Sequence, residues 1–302
     1  MPMEIKNGGE LFKAMTPKER AAKAIAARKM LLSNNGERLP DARGNDGRKG
    51  HARMSRIVCH FSCGAASAVA TKLALARFNR SQVVIYNAFI VEEHPDNRRF
   101  LADCEKWFGH TVTVLRDQKY GASVHEVWRR RGIMKHHYGA PCSSSLKHEV
   151  VDAACLPDDD HVFGFTAEET KRAERFQKAG VICPLIDAGL THNDCLAMVE
   201  RAGIVLPEMY RLGFNNANCI GCCKGGEGYW NKIREVFPEK FAQAAEIEES
   251  FGNTNSYLFR DRKTGERFGL KQLKLGAGRH DEPLPSCSFF CDMAEQELDA
   301  LK

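Results

Sequence analysis

The chain has 302 residues, 43% hydrophobic and 27% charged, with a formal net charge of +5. That balance excludes a collagen-like, low-complexity or largely disordered chain. No apolar run approaches the ~18 residues of a membrane span and the polar start MPMEIKNGGE lacks the apolar core of a secretory signal, so a cytoplasmic protein without membrane contact is expected.

Residues 16–32 (TPKERAAKAIAARKMLL) open with a Thr cap and a proline at the first helical position and are rich in alanine, which predicts a helix. Residues 33–53 hold Gly, Asn, Asp and Arg with almost no large apolar side chain and read as a linker. Residues 1–54 thus form a basic arm ahead of a domain over 55–302. Residues 1–56 carry 13 Lys and Arg against 6 Asp and Glu, so the charge surplus lies in the arm and the remainder is slightly acidic. Such an arm can contact nucleic-acid phosphates or remain a solvated tail.

From residue 57 strands and helices alternate. Strands are expected at 57–61, 82–90, 111–115 and 161–165, and helices at 66–78, 96–108, 122–132 and about 145–155. Further helices are expected at about 191–202 and 227–250, ahead of an irregular, cysteine-rich end within about 205–295. This rhythm predicts an α/β fold, a Rossmann-like parallel sheet flanked by helices. Ligands in such sheets bind beyond the carboxyl ends of the strands, so residues 62–67, 91–96 and 164–172 are expected to converge on one pocket.

The stretch that organises the rest is RIVCHFSCGAASAVATKLAL, residues 56–75. Ser62, Cys63, Gly64, Ala65, Ala66 and Ser67 are small and lead straight from a strand into a helix. Backbone N–H groups and the positive end of the helix dipole then face outward, a site suited to phosphate or sulfate. A close-packed turn without ligand is the alternative.

In this setting FSCGAAS resembles the SGGxDS loop of the PP-loop nucleotide-binding proteins, with Cys63 in place of a glycine and Ala66 in place of the aspartate. Further segments resemble the phosphoadenylyl and adenylyl sulfate reductases of that group, in order: VEEHPDNRRF (91–100), GFTAEETKRA (164–173), PLIDAGLTHNDCLAMVERAGIVLP (184–207), GFNNANCIGC (213–222) and GRHDEPLPSCSFFC (278–291). The resemblance implies a PP-loop domain binding an adenine nucleotide: adenylyl sulfate (APS), phosphoadenylyl sulfate (PAPS) or ATP. Glu92, Gly164, Thr166 and Arg172 would join residues 62–67 in holding it. The family's two arginines after the glycine are Thr166 and Ala167 here.

Twelve cysteines in a cytoplasmic chain suggest ligands, catalytic thiols or buried apolar residues rather than disulfides. Cys219 and Cys222 form a Cys-x-x-Cys pair that can chelate zinc or an iron–sulfur cluster. The resemblance adds Cys142, within GAPCSSSLK, where the cluster-bearing reductases carry a cysteine pair, the second being Ser143 here. A 4Fe-4S cluster needs a fourth thiolate; Cys223, Cys287 and Cys291 are candidates and Cys291 is favoured. Cys287 matches the family's catalytic cysteine, which attacks the sulfonate sulfur and is then released by a thioredoxin- or glutaredoxin-type thiol. A zinc site of Cys219, Cys222, Cys287 and Cys291 is the competing assignment. Cys59, Cys104, Cys155, Cys183 and Cys195 are expected to be buried. The basic stretch RRRGIMKHHYG (129–139) can steer an anionic substrate or nucleic acid, or be a plain surface loop.

The leading expectation is reduction of APS or PAPS to sulfite. The alternatives are an ATP-dependent sulfurtransferase that thiolates tRNA or DNA, and a non-catalytic iron–sulfur or zinc module on a degenerate PP-loop fold.

Overall fold

The computed structural model describes residues 55–137, 139–174 and 181–279. The helix expected at 16–32, the linker, Cys287 and Cys291 lie outside them.

The first strand, β1 (Ile57–His60), is an apolar run buried on both faces, as the interior of a parallel sheet requires. It feeds α1 (Ala65–Arg77), followed by β2 (Val83–Ala88), α2 (Asp96–Phe108) and β3 (Val112–Leu115). Helix α3 (Val124–Arg131) starts at Ser123, whose hydroxyl accepts from the Glu126 N–H, and stops at Gly132 in the left-handed conformation. Next come α4 (Pro141–Ser143), a π-helical turn (Ser144–His148), α5 (Glu149–Asp152) and β4 (Asp160–Val162). After α6 (Thr170–Ala173) and β5 (Val181–Ile182) lie α7 (Pro184–Ala188), α8 (His192–Arg201), α9 (Glu208–Arg211), α10 (Glu227–Val236) and α11 (Pro238–Ser250). An antiparallel pair, β6 (Phe259–Arg260) and β7 (Arg267–Phe268), follows, with a 3-10 turn at Leu270–Gln272 after it.

Five strands form one sheet in the order β3-β2-β1-β4-β5. Ile57 of β1 lies opposite Val83 of β2 on one side and Asp160 of β4 on the other, both pairings parallel, and β4 pairs parallel with β5. The fold is therefore a Rossmann-like α/β sheet flanked by helices, as the sequence rhythm predicts. Three expectations change. The helix foreseen at about 145–155 starts earlier, at Pro141, and runs through α4, the π turn and α5 to Asp152. The fourth strand ends at Val162, beyond which only the Phe163 N–H still donates to the Ile182 carbonyl, at 3.1 Å, among the described residues. The helix foreseen at 227–250 is two helices, because Pro238 has no N–H to give and its ring excludes helical geometry at Phe237.

The chain divides into two compact units: one up to Tyr86 with Leu101–Thr113 and Cys155–Leu206, the other Asn87–Phe100, Val114–Ala154 and from Pro207 onward. In the first, α1 packs on α7 and α8 over buried Val58, Val69, Leu185 and Val199. In the second, α10 packs on α11, α11 packs on α3, and Trp128, Met134, Leu146, Trp230 and Ile233 are almost fully buried. Each such side chain contributes about 1.5–3 kcal/mol by leaving water. Among the described residues no helix is long and apolar enough to cross a membrane.

Candidate functional site

The strand order reverses between β1 and β4, so the loops after these two strands flank the crevice where open α/β sheets hold ligands. Both loops belong to the first unit. Cys63, buried, takes a left-handed conformation with φ +58°, which turns the chain from β1 into α1. Gly64 is the helix N-cap; no side chain caps the helix and its first turn holds no acidic residue. No acidic side chain of that first turn therefore sits on the positive end of the dipole. Ser67 braces the loop: its Oγ donates to the Gly64 carbonyl at 2.9 Å and accepts from the Ser62 N–H and hydroxyl, each at 3.2 Å.

Gly164, just after β4, presses directly on this loop. A Cβ there would lie 2.8 Å from the Ser67 nitrogen and 2.9 Å from the Ala66 carbonyl carbon. Of the other residues expected to hold a nucleotide, Thr166 is buried and turned inward, its N–H donating to the Glu169 carboxylate at 3.3 Å. Arg172 also pairs with Glu169, at 2.7 Å, and its guanidinium lies 5.2 Å from the Phe165 ring centroid.

Glu92 belongs to the second unit, and its carboxylate is engaged there. It accepts from the Ser123 hydroxyl at 2.6 Å and from the N–H groups of Val124 at 2.7 Å and His125 at 3.3 Å, satisfying the first turn of α3. Its carbonyl accepts from the Ile220 N–H at 2.9 Å, between Cys219 and Cys222. Glu92 thus fixes the cysteine loop and α3 together. Burial holds the neighbouring His125 below the usual imidazole range, against the pull of Glu92.

The Cys-x-x-Cys loop is rigidly made. Gly221 has φ +78°, and a Cβ there would meet the Trp230 ring at 3.1 Å. The Tyr229 hydroxyl accepts from the N–H groups of Gly221 (3.1 Å) and Cys222 (3.0 Å) and donates to the Cys219 carbonyl (3.0 Å). Burial pushes this phenol well above its ordinary value, so it stays neutral. Cys219, Cys222 and Cys223 are buried in one apolar cluster against which half-buried Cys142 packs. Among the described residues, however, no three His, Cys, Asp or Glu side chains group as a metal set.

Four of the remaining thiols are buried as expected: Cys59, Cys104, Cys183 and Cys195. Burial lifts Cys59 and Cys183 each to about 12, which makes them poor nucleophiles. Cys155 is only half-buried.

A second polar cluster escaped the sequence reading. Buried Glu93 accepts from Asn97 Nδ2 at 3.2 Å and Arg98 at 3.3 Å, and Lys147 of the π turn lies 3.7 Å away. Arg98 also donates to buried Asn87 at 3.0 Å. Burial raises the Glu93 carboxyl, although Lys147, Asn97 and Arg98 oppose it. The Glu93–Asn97 spacing of one helical turn was the only local hint.

These observations define a Rossmann-like α/β protein with a helix N-terminus that no side chain caps at its topological switch point. The chain matches no protein-family profile and no curated protein sequence.

Proposed function

We propose that this protein binds an adenine nucleotide with its phosphates on the 62–67 loop and performs thiol-dependent sulfur chemistry on it, reducing APS or PAPS to sulfite. The carrying observation is the main-chain contact of Gly164 with Ala66 and Ser67 beside an uncapped α1. This leaves the loop backbone, rather than side chains, to meet an anion. In this reading the Cys287 thiolate attacks the sulfonate sulfur, the sulfur–oxygen bond to the nucleotide breaks, and the nucleoside phosphate leaves with the electron pair. A dithiol of the thioredoxin or glutaredoxin class then attacks the Cys287 sulfur; sulfite departs and the dithiol ends as a disulfide.

One observation favours a second reading. Thr166 and Ala167 are uncharged where the reductases carry arginines, and Arg172 is paired with Glu169. A substrate without a sulfate, activated ATP in a nucleic-acid sulfurtransferase, asks less of this position.

Anaerobic calorimetry of the full chain with APS, PAPS and ATP, followed by sulfite assay with a dithiol, separates the two. Binding of APS or PAPS with sulfite release, lost in Cys287→Ser while binding persists, supports reduction. Pyrophosphate release from ATP only with nucleic acid present moves the assignment to the sulfurtransferase. No affinity for any of the three nucleotides overturns both and leaves a non-catalytic module.

A further inference from the structure

We propose that the exposed basic stretch of the second unit, around the last turn of α3, binds the phosphate backbone of a nucleic acid. The inference is independent of what the 62–67 loop binds.

The first argument is charge distribution. Residues 116–137 carry 6 Lys and Arg against 2 Asp and Glu, while the chain beyond residue 56 carries 31 against 33. Basic charge is therefore concentrated here against an acidic background. Arg129, Arg130 and Arg131 fill the last turn of α3, all exposed, and Gly132 ends the helix beside them. One cation at a helix C-terminus is explained by the dipole. Three in succession, with exposed Arg116, Lys119 and Lys135 nearby in sequence, exceed that need.

The second argument is how these side chains are held. Arg130 is anchored by Glu126 at 2.6 Å and by the Lys119 carbonyl at 3.1 Å. Its guanidinium and the Lys119 ammonium approach the same Tyr120 ring, at 5.5 and 5.2 Å from the centroid. Arg116 lies 3.7 Å from the centroid of the half-buried Phe89 ring. Rings that fix guanidinium planes reduce the rotamer entropy lost when phosphate is bound. The two carboxylates of the stretch are already engaged, Asp117 by the Tyr120 N–H and Glu126 by Arg130. Among the described residues Arg116, Lys119, Arg129, Arg131 and Lys135 enter no ion pair. The crowding is felt by neighbours: His136 is held below its ordinary value by burial first, then by His137 and Arg131.

The third argument selects the partner. A free nucleotide needs a concave site, and a cavity of about 370 Å³ beside Arg116 is also lined by the carboxylates Asp117 and Glu149, which repel phosphate. An extended polyanion needs no cavity. Guanidinium forks match phosphate oxygens in pairs, and the arm at residues 1–54 adds an excess of 6 positive charges on the same chain. These features favour nucleic acid over an acidic protein.

The test is fluorescence anisotropy of the full chain with labelled single- and double-stranded RNA and DNA at low and physiological salt. Two variants are compared, Arg116→Glu/Lys119→Glu/Arg131→Glu and the milder Arg129→Gln/Arg131→Gln, after confirming an unchanged melting temperature. The wild type should bind at least one of the four, with affinity falling steeply as salt rises. The triple variant should bind at least ~10-fold more weakly, with a salt slope shallower by about 2–3, since each phosphate contact contributes about 0.7–0.9 to that slope. The milder variant should fall between and decides the matter if the triple variant misfolds. Wild-type affinity in both variants, no binding of any nucleic acid, or equal competition by polyglutamate would overturn the proposal.

Discussion

Gly164 and Tyr229 show how much rests on single atoms. At Gly164 the neighbours within 3 Å of a Cβ are main-chain atoms of Ala66 and Ser67, which cannot rotate away as a side chain would. Gly164→Ala should therefore destabilise the first unit by about 1–3 kcal/mol, the usual cost of forced overpacking, and weaken nucleotide binding. Thermal melting and calorimetry read the two effects. A variant with wild-type stability and affinity would show that the contact is slack. Tyr229→Phe removes one oxygen that serves three buried main-chain groups of the cysteine loop. The expected loss is about 1–3 kcal/mol, the desolvation left unpaid when buried polar groups lose their partner. Faster alkylation of Cys219 and Cys222 should accompany it, measured by mass spectrometry.

At the scale of elements, Glu92 separates two roles that sequence could not. If it acts as the N-terminal anchor of α3, Glu92→Ala should cost about 1–2 kcal/mol, as lost caps do, Glu92→Gln less, and neither should change nucleotide affinity. A drop in affinity at unchanged stability would instead return Glu92 to the nucleotide. The elements read correctly from sequence are those with strong local signals. The apolar 57–61 run, the small residues after it and the alanine-rich helix each announced themselves. The helix expected at about 145–155 is present, but it starts at Pro141 and takes a π turn over Ser144–His148. Strand β5, only two residues long, gives no periodicity to read. The Glu93 cluster joins Asn87, Asn97, Arg98 and Lys147, and its Lys147 partner lies 54 residues away; no local pattern carries that pairing. Of the candidate site, the 62–67 loop and the Cys-x-x-Cys were legible. That Arg172 pairs with Glu169 was not, because orientation on a short helix depends on packing.

Across the whole molecule, opposing titrations govern how stability follows pH. Burial alone would push Asp159 up, but hydrogen bonds from Arg56 and the Leu156 N–H, with the charge of Arg56, outweigh it and hold the carboxyl below its usual range. Its stabilisation is present above the ordinary carboxylate value of about 4 and is lost as pH falls through the lowered one. Glu248 behaves oppositely. Burial raises it despite the N–H groups of Leu258 and Leu270, each donating at 2.6 Å. The folded state thus holds its proton longer than the unfolded chain, and stability declines as pH rises from the ordinary glutamate value through the raised one. Buried His125 and half-buried His161, both lowered chiefly by desolvation, add stability as pH rises towards the usual imidazole value. The Glu248 and histidine contributions run in opposite directions between the ordinary carboxylate and imidazole values, so a wild-type profile alone cannot isolate one. The difference between wild type and Glu248→Gln can. The variant keeps one acceptor oxygen for the two N–H groups and should melt lower throughout. The gap should be widest in mild acid and narrow as pH rises, because only the wild type must then ionise a buried carboxyl. Melting curves from about pH 4 to 8 measure it, and a gap constant across that range would show that Glu248 titrates in the fold as it does in the unfolded chain.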